Sequence, residues 1–142
     1  MNIGLVDVDN HNFPNLALMK ISAFHKQKGD NVEWANALFG EYDIVYKAKV
    51  FTFTVDEDVC YNAKSIICGG TGYDMTSKLP AEIEHIYPDY ELYNINDTAY
   101  GYLSRGCPRG CDFCIVGKKE GKNSIKVADL REWWNGQKTL CC

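Results

Sequence analysis

Three cysteines fall within one eight-residue stretch, Cys107-Pro-Arg-Gly-Cys111-Asp-Phe-Cys114. The spacing is C-x3-C-x2-C, with the aromatic Phe113 just before the third cysteine. Three thiolates on one tight loop can hold three corners of a cubane iron–sulfur cluster. The fourth iron is then open to a further ligand. Pro108 and Gly110 favour a tight loop, and Arg105 and Arg109 place positive charge beside it.

A zinc site is the first rival. Structural zinc takes four ligands, usually as two close pairs. The fourth would have to come from Cys60, Cys68, Cys141, Cys142 or a histidine. Bacterial ferredoxins space their cysteines as C-x2-C-x2-C, so the loop matches neither pattern closely. Cys60 and Cys68 stand in apolar contexts and read as core residues. Cys141-Cys142 is a bare terminal pair with no assigned role.

The elements that must position the loop follow from the apolar pattern. Asn2–Val8 reads as a buried strand. Pro14 suits a helix start, and Leu16, Ala17, Met19, Ile21, Ala23 and Phe24 form an apolar stripe. Lys26, Lys28 and Gly29 end that helix. Val32–Ala35, Asp43–Phe53 and Ser65–Cys68 read as further strands, with a short helix expected over Val55–Ala63. The last strand runs into Gly69-Gly-Thr-Gly72, which reads as a tight turn. It lacks the Lys-Ser/Thr of a phosphate-binding loop. This rhythm argues for an open α/β sheet with a crevice at the strand carboxyl ends. Thr76–Asn96 lacks periodicity and reads as a surface connection. Thr98–Ser104 reads as a strand leading into the cysteine loop. Val127–Asn135 reads as a helix packing Trp133 and Trp134, and Lys138–Leu140 as the start of another strand.

Cys107, Cys111 and Cys114, with Phe113, resemble the signature of the radical S-adenosylmethionine superfamily. The preceding Tyr100-Gly-Tyr-Leu-Ser-Arg-Gly also resembles the first strand of that family's barrel. The resemblance implies that the three thiolates bind a four-iron four-sulfur cluster. It implies that S-adenosylmethionine chelates the open iron, with Phe113 near the adenine, and that a 5′-deoxyadenosyl radical is generated for an unknown substrate. A reductant such as a flavodoxin or ferredoxin is implied as partner. No residue is assigned as catalytic.

The N-terminal part resembles the cobalamin-binding type of Rossmann-like domain, on Gly4–Val8, the segment from Pro14 to Ile21, and Ile66–Gly70. Asp9-x-His11 matches half of an Asp-x-His-x-x-Gly pattern that supplies a cobalt ligand. Pro14 stands where the glycine belongs, so cobalamin is not expected. The resulting fold class is α/β: a Rossmann-like open parallel sheet over residues 1–96, then the first β/α unit of an incomplete radical S-adenosylmethionine barrel over 97–142. Full eight-unit barrels take about 250 residues, and 28 follow Cys114. A fragment with little or no turnover is therefore expected.

Composition bounds the rest. The chain has 142 residues, 46% hydrophobic and 24% charged, which is globular. No apolar run reaches the roughly 18 residues of a membrane helix. The acidic N-terminus reads as a strand, so a cytoplasmic, thiol-reducing location is expected. Residues 1–100 carry seven Lys/Arg against fifteen Asp/Glu; residues 101–142 carry eight against four. That basic segment permits an anionic partner, but nothing indicates nucleic acid. The alternative reading is a non-enzymatic zinc- or cluster-binding interaction module.

Overall fold

A computed structural model describes residues 1–10 and 12–142. His11, the half-matched cobalt ligand, lies outside the described residues. The chain divides into two compact units, Met1–Tyr93 and Asn94–Cys142.

The first unit is built on a parallel sheet of four strands. They are β1 (Asn2–Asp7), β2 (Asn31–Trp34), β3 (Tyr42–Ala48) and β4 (Ala63–Gly69), in the order β2-β1-β3-β4. Ile3 pairs with Val32 on one side and Ile44 on the other, and Ile44 pairs with Ser65. Parallel neighbours need long crossovers. Helix α1 (Leu16–Gln27) supplies the first. Its N-cap is Asn15, whose side chain accepts from the Leu18 N–H at 3.2 Å. Gly29 closes it in the left-handed region, at φ +81, with the Asp30 N–H returning to the His25 carbonyl at 3.0 Å. Ile3 and Leu5 meet Leu18 and Ile21 of α1 in the core.

The crossover from β3 to β4 is not helical. Residues 49–62 run as irregular chain, so the helix expected over Val55–Ala63 does not form. Side-chain ties replace it: Lys47 pairs with Asp56 at 2.8 Å, and the Tyr73 hydroxyl donates to the same carboxylate. The third strand is also shorter than Asp43–Phe53. It ends at Ala48, beyond which the Lys49 carbonyl accepts from the Gly72 N–H at 2.9 Å and the chain turns over residues 51–54. A turn follows β4, as expected, over residues 70–73: the Tyr73 N–H donates to the Gly70 carbonyl at 3.0 Å. Gly70 is required there, since a Cβ would lie 2.3 Å from the Lys49 carbonyl oxygen.

Thr76–Asn96 is not merely a surface connection. Within it, α2 (Ala81–Glu84) and a 3-10 turn over Tyr90–Tyr93 pack on α1. Ile83 joins the core, with Leu79 and Leu92 against it. Asp89 accepts from Ser22 and Lys26, each at 2.6 Å, and its N–H donates to the Met19 carbonyl at 3.0 Å. Elements this short leave no helical period in the sequence.

The second unit contains two small sheets. β5 (Thr98–Tyr100) pairs in parallel with β8 (Thr139–Cys141), and β6 (Ser104–Arg105) pairs antiparallel with β7 (Ile125–Lys126). The strand expected over Thr98–Ser104 is thus broken into two. Gly101 sits at the break against the Trp133 ring, where a Cβ would fall 2.2 Å from a ring carbon. Trp133 is 1% exposed, a packing residue as expected. The helix expected over Val127–Asn135 shrinks to a 3-10 turn, Leu130–Glu132. It has a capping box between Asp129 and Glu132, and Gly136 at φ +88 follows. Among the described residues, no helix is long and apolar enough to cross a membrane.

Candidate metal centre

The cysteine loop is an excursion from the β6–β7 hairpin. Its base is pinned twice. Arg105 pairs with Ile125 in the ladder, and the Cys107 N–H donates to the Gly121 carbonyl at 3.2 Å. Gly106 makes this closure possible. It holds φ +91, and a Cβ there would lie 2.1 Å from the Asn123 carbonyl oxygen. Only glycine fits both conditions.

Beyond Cys107 the loop turns at Gly110, at φ +62 with open space around it. A second turn spans Cys111 to Cys114, closed by the Cys114 N–H on the Cys111 carbonyl at 3.1 Å. Helix α3 (Val116–Lys119) follows at once, with the Lys119 N–H on the Ile115 carbonyl at 2.9 Å. Arg105 reaches back to Glu120 at 3.7 Å and lies 5.0 Å over the Tyr102 ring. Its charge therefore braces the loop's base.

The structure places the three cysteines on one loop, none in a disulfide. Cys111 is exposed; Cys107 and Cys114 are partly covered. Phe113 projects outward, 93% exposed. The side chains are not drawn together. Among the described residues, no three His, Cys, Asp or Glu groups are arranged to hold a metal ion. The donor chemistry fits iron and sulfide: three uncommitted thiols on one short loop with a fixed base. Convergence of the three sulfurs would accompany metal binding, since ligation and local folding are coupled in such sites.

Cys60 and Cys68 are not core residues; both are exposed. Cys68 lies on β4, one of the sheet's two edge strands, where Ile66 and Ile67 are also about half exposed. An apolar run does not tell an edge strand from a central one. Cys141 lies in β8, partly covered, and Cys142 is exposed.

A second cluster gathers beyond the carboxyl ends of the parallel strands; of its residues, only Asp9 belongs to a sequence pattern, the half-matched Asp-x-His. Asp9 accepts from the Val50 N–H at 2.5 Å, the Phe51 N–H at 3.3 Å and the Thr54 hydroxyl at 2.7 Å. It thereby fixes the loop that stacks Phe51 on Phe53 with centroids 5.2 Å apart. The Tyr93 hydroxyl donates to Asp7 at 2.6 Å. Burial, then that carboxylate, raises the Tyr93 pKa. Burial and Asp56 do the same to Tyr73. Both phenols are held as neutral donors to Asp56 and Asp7.

Comparison with protein families, with curated proteins and with solved structures finds no match. The chemistry rests on the chain's own residues.

Proposed function

We propose that this chain binds a four-iron four-sulfur cluster through Cys107, Cys111 and Cys114 and presents it to S-adenosylmethionine. The reading is a protein of the radical S-adenosylmethionine type acting on an unknown substrate. The observation that carries it is the loop itself: three free thiols at C-x3-C-x2-C spacing, on one excursion closed at its base by Cys107 and Gly121. When bound, such a cluster supplies the electron that cleaves S-adenosylmethionine to methionine and a 5′-deoxyadenosyl radical.

The chain's own residues have distinct parts in this reading. Gly106 and Gly110 give the loop its two left-handed positions. Phe113 offers an uncovered ring face to the adenine. Arg105, paired with Glu120 at 3.7 Å, braces the base of the loop, and Arg109 within the loop brings positive charge next to the cysteines along the chain. The parallel pairing of β5 with β8 supports reading this unit as a β/α element of the radical S-adenosylmethionine type.

The test is retention of S-adenosylmethionine by the full chain after anaerobic reconstitution with iron and sulfide, measured by equilibrium dialysis. The expected result is binding by the native chain and loss of it in Cys111→Ala. Equal retention by the variant, or none by either, would overturn the reading.

A further inference from the structure

We propose that Cys111 and Cys114 form a dithiol that oxidises to an intramolecular disulfide, leaving Cys107 as a thiol. The inference goes beyond cluster binding and does not rest on it.

The turn geometry selects the pair. The Cys114 N–H on the Cys111 carbonyl, at 3.1 Å, closes a four-residue turn. Such a turn holds its end Cα atoms within about 7 Å. A disulfide spans Cα separations of roughly 4.4–6.8 Å. Cys107 lies outside this turn, and its backbone is tied to Gly121. Cys141 and Cys142 are adjacent, so their Cα atoms stand about 3.8 Å apart, short of the disulfide range.

Exposure sets the order of events. Cys111 is exposed and Cys114 partly covered. The Cys111 thiolate attacks one sulfur of a low-molecular-weight disulfide such as glutathione disulfide. A mixed disulfide forms and one glutathione thiolate leaves. The Cys114 thiolate then attacks the Cys111 sulfur, and the second glutathione leaves. The protein dithiol loses two electrons, glutathione disulfide gains them, and the two thiol protons pass to the released glutathione. Where the cluster reading also holds, this bond withdraws two of its three ligands.

The experiment uses the metal-free, reduced full chain incubated with glutathione disulfide, then alkylated and digested. Cleavage after Arg105, Arg109 and Lys118 puts Cys107 on one peptide and Cys111 with Cys114 on the next. The expected result is a Cys111–Cys114 peptide short by two hydrogen atoms and free of glutathione, with Cys107 alkylated. Cys114→Ser should trap glutathione on Cys111. Lasting adducts on both cysteines, unreacted thiols at both, or a bridge from Cys107 to either would overturn the proposal. No iron is present, so this failure is separate from failure of the cluster reading.

Discussion

The Cys107 backbone N–H meets the Gly121 carbonyl at 3.2 Å, and this one bond turns residues 107–121 into a closed loop. All three candidate ligands lie inside it, and the β6–β7 hairpin holds its ends. A ligand loop so anchored loses less entropy when its side chains gather than an open chain would.

That closure depends on Gly106. In Gly106→Ala the new Cβ would meet the Asn123 carbonyl oxygen at 2.1 Å, at a φ of +91. The expected cost is about 1–3 kcal/mol from backbone strain, plus the clash. Gly110→Ala is the control: φ is +62 but nothing lies within 4 Å, so only about 1–2 kcal/mol is at stake. Amide exchange at Cys107 should accelerate in the first variant and much less in the second.

Trp133 fills the space above Gly101 and is almost wholly buried. Trp133→Ala should destabilise the second unit by roughly 3–5 kcal/mol. Chemical denaturation followed by backbone circular dichroism would show a lower midpoint. Gly101→Ala should act in the same direction, because its Cβ would overlap the ring.

Asp9 organises the 50–54 loop through three accepted hydrogen bonds. Asp9→Ala leaves the Val50 and Phe51 amides without this partner, at a cost of about 1–3 kcal/mol. Exchange at those two amides should rise well above that at Ile3 in the core. Unchanged protection would show that the carboxylate does not hold the loop.

Acid should weaken the first unit through Asp30. Its hydrogen bond with His25 at 2.7 Å, and then the N-terminal amine, hold its pKa below the ordinary 3.8. A carboxylate with a depressed folded pKa contributes stability above its unfolded value and loses it as pH falls through the folded one. Asp30→Asn should therefore show a flatter melting temperature than the native chain below about pH 4. Parallel curves would remove Asp30 from the acid response.

Much of the first unit was legible because its residues act locally. The stripe on α1, its Gly29 stop and the apolar strands β1, β2 and β4 all carry periodicity or end signals. What escaped was set by distant partners. The 55–63 segment lost its helix to Lys47 and Tyr73, which hold Asp56 from two other segments. Cys68 was misread as core because β4 lies at the sheet's edge. Gly101 broke a strand for the sake of a tryptophan 32 positions further along the chain. The three site cysteines were legible from spacing alone. The turn that pairs Cys111 with Cys114 was not, because it depends on a backbone hydrogen bond.

Iron and acid-labile sulfide counted per chain after anaerobic reconstitution test the central claim most directly. The account predicts a brown protein with about four iron and four sulfide per chain, and loss of most of both in Cys107→Ala, Cys111→Ala and Cys114→Ala alike. A colourless chain holding one zinc without sulfide, or iron uptake untouched by these substitutions, would contradict it.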